Sequence, residues 1–321
     1  MGSMDSVQAQ SRQAEVTGRL RSKRWAKVKV NYELYLFLLP TVLYFGIFHY
    51  VPMYGVQIAF KNFLAVKGIW DSPWVGFQHF ERFFNSYQAV AVIKNTVVLG
   101  LYDLAVKFPV PIVLALLLNQ IVSTRYKKFI QTVTYAPHFI STVVLVGMVY
   151  LFLSPRTGLV NRLLGLFGLD SIFFMGEAVY VKSVYVFSGL WQEAGWAMII
   201  YLAALTSINS ELHEAAVVDG ASKFKRIVHI DLPGIMPTIM ILLILNLGNF
   251  MSIGFEKIFL LQNPLNVESA EIIQTYVYKV GFLGADFSYS AAIGLFNSVI
   301  NCFLLVMANY MAKKFSETSL W

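Results

Sequence analysis

From Asn209 to Pro233 the chain reads Asn-Ser-Glu-Leu-His-Glu-Ala-Ala-Val-Val-Asp-Gly-Ala-Ser-Lys-Phe-Lys-Arg-Ile-Val-His-Ile-Asp-Leu-Pro. These residue types spell two short helices around a corner. Asn209 or Ser210 can cap the first, and Glu211 and Glu214 fall in its first turn, where the positive end of the helix dipole favours acids. That helix is expected to run to about Val218 and to end near Gly220, because glycine takes the left-handed conformation that closes a helix. Ser222 can cap a second short helix carrying Lys223, Lys225 and Arg226. Asp231-Leu232-Pro233 then opens a long apolar run, with proline tolerated in its first turn. On this pattern alone an ordinary amphipathic loop fits equally well, so the flanking sequence has to decide.

The flanks are membrane spans. Of 321 residues, 57% are hydrophobic and 13% charged, and the mean hydropathy is +0.61. Soluble domains carry roughly 45–50% apolar and about 25% charged residues. A soluble enzyme or nucleic-acid binder of this composition would have too little charge to cover its surface. A spanning helix needs roughly 20 mainly apolar residues. Residues 34–60, 129–155 and 287–312 are uncharged and longer than that, and 232–255 lies between Asp231 and Glu256. Two more runs qualify with intrusions: 95–122, containing Asp103 and Lys107, and 183–206, containing Glu193. The expectation is an all-α membrane protein with six spans, about 34–60, 95–122, 129–153, 183–206, 232–255 and 287–312. They make residues 31–321 one transmembrane domain behind a polar tail, 1–30, whose opening Met1-Gly2-Ser3-Met4 reads as an expression remnant.

The net charge of +7 is an orientation signal, since Lys and Arg in short loops mark the cytoplasmic side. Arg12, Arg19, Arg21, Lys23, Arg24, Lys27 and Lys29 precede the first span. Arg125, Lys127 and Lys128 lie in the second loop, Lys223, Lys225 and Arg226 in the fourth, and Lys313 and Lys314 at the end. The opposite loops hold fewer than half as many: Lys61, Lys67, Arg82, Arg156, Arg162 and Lys279. Both termini are therefore expected in the cytoplasm.

The sequence offers no chemistry of its own. Cys302 is the single cysteine, and no Gly-Lys dipeptide occurs, so neither a Cys-rich zinc site nor a phosphate-cradling loop is present. His213-Glu214 begins like a zinc-protease motif, but Val217 stands where the second histidine is needed. No metal, no catalytic residue, no cofactor in this chain and no nucleic-acid partner are expected. Asp103 and Glu193 are the carboxylates inside the spans, and they keep a self-contained ion-coupled transporter or channel open as the alternative.

The loop itself resembles a known family. Glu214-Ala215-Ala216, three residues, Gly220, nine residues, then Ile230-x-Leu232-Pro233 matches the EAA motif of ABC import permeases without a gap, and Asp219-Gly220-Ala221 fits its extended form. Ile227 departs from it, standing where phenylalanine is common. Tyr50-Val51-Pro52-Met53-Tyr54-Gly55, Trp191-Gln192 and the tail from Glu271 to Trp321, with its closing Glu317-Thr318-Ser319-Leu320-Trp321, are similar to permeases of oligosaccharide and polysaccharide importers. These are relatives of the maltose permeases in the subgroup named for lipoproteins and complex polysaccharides, with an alginate importer as the most specific candidate.

The resemblance implies the type I importer fold in a bacterial inner membrane. It implies an oligosaccharide moved inward by alternating access, two separate ATPase subunits that bind ATP-Mg, and an extracytoplasmic solute-binding protein. A second permease is also implied, expected to be a different chain, with a homodimer as the alternative. Glu214 would anchor the chain to the ATPase, Ala215 and Ala216 would be close-packing positions, and Gly220 the corner.

Polar groups inside a span must pair or line a wet cavity. Trp191, Gln192, Glu193 and Trp196 have the chemistry of a sugar path, aromatic faces for C–H patches and polar groups for hydroxyls. Neighbouring helices can use Gln192 and Glu193 equally well. Asn246 and Asn249, like Asn297 and Asn301, share helix faces, with interhelical bonding weighed against substrate contact. Asp103 and Lys107, four apart, can neutralise each other, and Pro109-Val110-Pro111 should bend that helix. The aromatics of residues 61–93 (Phe63, Trp70, Trp74, Phe77, Phe80, Phe83, Phe84 and Tyr87) suit an interfacial helix in the lipid headgroups. That loop is expected to form a docking surface with residues 154–180 and 262–286.

Overall fold

A computed structural model describes residues 30–316. Most of the predicted N-terminal tail and the closing residues 317–321 lie outside the described residues. The chain divides into two units between Gln57 and Ile58. The first is built on the helix Tyr32–Phe45, a π turn Gly46–Tyr50 and the turn Val51–Met53. Pro52 has no N–H to return to the Phe48 carbonyl, and the helical register shifts there. Continued by Tyr54–Phe60, the run from Tyr32 to Phe60 is 29 residues, long and apolar enough to cross a membrane.

In the second unit, Ser86 caps the helix Tyr87–Lys107 by accepting the Ala89 N–H at 3.2 Å. One residue, Phe108, separates it from Pro109–Asn119. The two prolines thus interrupt a run, Tyr87–Asn119, that still qualifies as a single span. The next expected span is broken: Thr124–Phe139 and Thr142–Phe152 meet at 100°. Pro137 withdraws a donor from the preceding turn, and Ser141 caps the new helix, accepting the Val144 N–H at 3.4 Å. A second bend, of 58°, separates Lys223–Gly234 from Met236–Gly248. Phe255–Leu261 follows, and the long helix Phe287–Ser316 closes the described chain.

By length and composition three described helices can cross a membrane, or five if each bent pair is one span. The remaining expected span is the 26-residue helix Val181–Thr206. Eleven of its residues are buried against neighbouring helices, while Phe187, Trp191, Trp196 and Ile200 are exposed. Its first half packs Val181, Tyr185 and Val186 with Leu99, Val149 and Ile258. Its second half packs Met198, Tyr201 and Leu205 with Ile112, Leu116 and Ile235. Lipid tails are as apolar as leucine, so close packing rather than water exclusion holds such helices together. At Gly195 an added Cβ would fall on the Thr134 backbone, which shows how closely two helices approach there.

Candidate functional site

The corner between Thr206 and Met236 is built from local sequence. Asn209 Oδ1 accepts the Glu211 N–H at 3.0 Å and starts the helix Ser210–Val218. Gly220 ends it with φ +73°. The Ala221 N–H reaches the Ala216 carbonyl at 2.8 Å and the Gly220 N–H reaches Val217 at 3.0 Å. These are the paired bonds of a Schellman cap, which satisfy carbonyls the helix end leaves open. Ser222 caps Lys223–Arg226, and a π segment, Ile227–Asp231, leads into Leu232–Gly234.

No residue of the Ser210–Val218 helix is buried. Glu214, Ala215, Asp219 and Gly220 are exposed, as are Leu212, Val217 and Val218, while Ala216 and Ala221 are half-buried. Ile230 and Leu232 are half-buried and Pro233 is exposed. The result is a short helix with an open apolar and acidic surface, held at both ends by caps.

Asp231, at the position the motif leaves free, is fully buried. Its Oδ2 accepts from Gln120 Nε2 at 2.9 Å, and His213 Nε2 lies 3.2 Å from its Oδ1. In the sequence Asp231 marks only the edge of a span. The available signal was an ionisable residue directly before Leu-Pro.

A second site lies within the spans, a cavity of about 380 Å³ lined in part by Asp103, Lys107, Tyr185, Glu193, Asn246 and Asn249. Lys107 Nζ stands 2.9 Å from Asp103 Oδ1 and 3.4 Å from Glu193 Oε2, joining two helices through one ammonium. The same group lies 5.2 Å from the centre of the Tyr185 ring. Buried Lys257 donates to the Tyr185 carbonyl at 2.9 Å and lies 5.0 Å from that ring centre. A side chain at Gly189 would meet both ammonium groups, Lys107 Nζ at 2.5 Å and Lys257 Nζ at 2.9 Å. Glycine is the residue that leaves room for two cations against one helix.

The other candidate path residues separate, since helix rotation turns each successive residue by about 100°. Gln192 is buried and donates to the Ile140 carbonyl at 2.8 Å, at the break between Thr124–Phe139 and Thr142–Phe152. Trp196 stacks on His138, ring centres 4.4 Å apart. Trp191 opens on an apolar groove with Leu145, Phe152 and Phe187. Asn246 and Asn249, on the cavity wall, donate back to Leu242 and Leu245 of their own helix at 2.7 and 3.2 Å. Asn297 is buried away from that wall, whereas Asn301 accepts the Met251 N–H at 2.9 Å and donates to Ser252 at 2.8 Å.

The three loops expected to form a docking surface, 61–93, 154–180 and 262–286, are knit together. Arg82 pairs with Asp286 at 2.7 Å, and Asn263 and Asn266 donate to the Met175 carbonyl at 2.7 and 3.0 Å. Around the first loop, Phe60 stacks on Trp74 and packs against Phe77 and Phe80. No group of three or more His, Cys, Asp or Glu among the described residues is placed to hold a metal ion.

Residues 107–317 match the family model described as the binding-protein-dependent transport system inner membrane component. Protein LplB of Bacillus subtilis (strain 168) is 43% identical over 92% of this chain and 93% of its own length. The polygalacturonan/rhamnogalacturonan transport system permease protein YteP of the same organism is 44% identical over 90% of each chain. Among solved structures, a chain of a bacterial ABC transporter involved in import of the acidic polysaccharide alginate aligns with TM-score 0.85 and 43% identity. That alignment covers 92% of this chain and 99% of the other. A structure of the bacterial alginate transporter with alginate pentasaccharide-bound periplasmic protein aligns with TM-score 0.85 at 42% identity, with the same coverage.

Proposed function

This chain belongs to the binding-protein-dependent transport system inner membrane components, and from that premise we propose that it imports an acidic oligosaccharide of the alginate or pectin type. It is a permease subunit of an ABC importer for sugars. The observation that carries the mechanism is the capped helix Ser210–Val218, with no buried residue, at a glycine corner between two membrane helices. Such a helix is rigid enough to be pushed and bare enough to be held.

In this reading two ATPase subunits seat the Glu214 face, a second and different permease completes the pore, and a binding protein delivers the sugar onto the knitted external loops. ATP-Mg bound by the ATPase subunits supplies the free energy, and this chain contributes no catalysis. The distribution of Lys and Arg supports cytoplasmic termini. The substrates of its relatives, polygalacturonan/rhamnogalacturonan and alginate, support an acidic sugar as cargo. The ion-coupled alternative is disfavoured within the site as well, because Asp103 and Glu193 both spend their charge on Lys107.

The test is purification of the tagged chain from its native membrane, identification of the proteins that accompany it, and uptake into ATP-loaded proteoliposomes. Alginate and galacturonate oligosaccharides should enter, and neutral malto-oligosaccharides should not. Absence of an ATPase from the preparation would overturn the mechanism, and uptake of the neutral sugar alone would overturn the substrate.

A further inference from the structure

Among the described residues, the Ser210–Val218 helix buries no side chain, so a force applied to it needs a defined route into the membrane helices. The covalent route toward Met236–Gly248 passes the glycine corner and then a π segment, and toward Val181–Thr206 it passes the non-helical residues 207–209. One polar contact bypasses them. His213, on the helix, lies 3.2 Å from one oxygen of Asp231, and Gln120, directly after the helix Pro109–Asn119, donates to the other at 2.9 Å.

Asp231 itself ends the π segment at the head of the run to Met236–Gly248, and its own carbonyl accepts the Ile235 N–H at 3.1 Å. It is fully buried, and close to it Ile208, Ile227, Leu232 and Ile235 pack with Leu116, Leu118 and Leu205. A buried carboxylate holds its partners far more firmly than an exposed one, because losing either leaves a desolvated charge unmatched. Gly234 keeps this packing tight, since a Cβ there would meet Ile208 Cδ1 at 2.6 Å.

We propose that Asp231 is a positioning residue for coupling: Oδ2 is hydrogen-bonded by Gln120 at the end of the Pro109–Asn119 helix, and Oδ1, buried without a hydrogen bond of its own, stands at ion-pair distance from His213 of the exposed helix, so that all three elements move together. The proposal rests on the permease reading. It goes beyond it by naming a residue outside the ATPase-facing surface and a receiving helix that is not adjacent in sequence. The helix Pro109–Asn119 also leads directly to Lys107 and the intramembrane cavity, so the tether joins the cytoplasmic corner to the wall of the pore.

The experiment is hydrogen exchange on the complex purified through the tagged full-length chain, with and without ATP and orthovanadate, reading residues 210–221 and 109–121. In the wild type, nucleotide trapping should change protection in both segments. In Asp231→Leu, which replaces the carboxylate by an apolar side chain of similar size, the change should stay in 210–221 and vanish in 109–121. Exchange of 210–218 without nucleotide should rise roughly tenfold. Asp231→Asn keeps a carbonyl acceptor in place and should restore most of the response. His213→Ala, at a partly exposed position, cuts the tether without touching the core and covers the case in which Asp231→Leu does not fold.

An unchanged nucleotide response at 109–121 in His213→Ala or Asp231→Leu would overturn the tether while leaving the permease reading intact. A wild-type preparation with no ATPase and no nucleotide response would overturn both.

Discussion

Replacing Gly220 isolates what backbone geometry contributes to coupling. Its φ is +73°, and an added Cβ would meet no heavy atom within 4 Å. Substitution therefore introduces no clash, and its cost is the left-handed backbone alone, about 1–2 kcal/mol for an ordinary L-residue. Asparagine tolerates that region and should cost less, and valine, branched at Cβ, should cost more. A relaxed backbone gives up the bonds from Ala221 to Ala216 and from Gly220 to Val217. A penalty of 1–2 kcal/mol is a factor of about 5–30 in the local equilibrium. The fraction of chains with a formed corner multiplies the apparent affinity for the ATPase. The expected result is ATPase affinity falling in the order Gly, Asn, Ala, Val, by up to about 5–30-fold at Ala. Thermal unfolding should be nearly unchanged, because the corner is exposed. Equal affinities across the series, with each variant folded, would refute the argument that this backbone conformation positions the helix.

Gly195→Ala should destabilise the chain by roughly 1–3 kcal/mol or more, since its Cβ meets Thr134 backbone, which cannot rotate away; a wild-type melting profile in detergent would contradict this. Gly189→Ala meets two flexible ammonium ends instead and should melt closer to wild type while weakening transport. Gln192→Leu leaves the Ile140 carbonyl without its donor and should cost about 1–3 kcal/mol, read as increased proteolysis near residues 139–142. Lys107→Met leaves Asp103 and Glu193 facing each other unpaired and should cost roughly 2–3 kcal/mol; adding Asp103→Asn should recover part of the lost melting temperature, and no recovery would mean the pairing is not what stabilises the site.

The corner was readable from sequence because its determinants are neighbours: Asn209, Gly220 and Ser222 each act within three or four residues. The apolar runs were readable because lipid imposes composition. The 100° break was not, although Pro137 and Ser141 were visible, because it depends on a donor 52 residues away in Gln192. Distance along the chain also hid the Asp231 contact, whose Gln120 is 111 positions upstream. The run Trp191–Trp196 looked like one cluster because adjacent letters were read as adjacent surfaces. On a helix they fan out, and only Glu193 of the four lines the cavity wall. The pairing of Asp103 with Lys107 was legible as a four-residue spacing, whereas the third member, Glu193, needed the tertiary fold.

The four ionisable groups gathered around Tyr185 have a consequence for energetics at the scale of the whole membrane. Fully ionised, Asp103 and Glu193 would bring two negative charges, and Lys107 and Lys257 two positive ones. Each elementary charge moved across the bilayer is worth about 2.3 kcal/mol per 100 mV. A rearrangement that carries the fully ionised quartet as a group moves no net charge of its own through the electric field. The membrane voltage then does no net work on this group of charges as it moves.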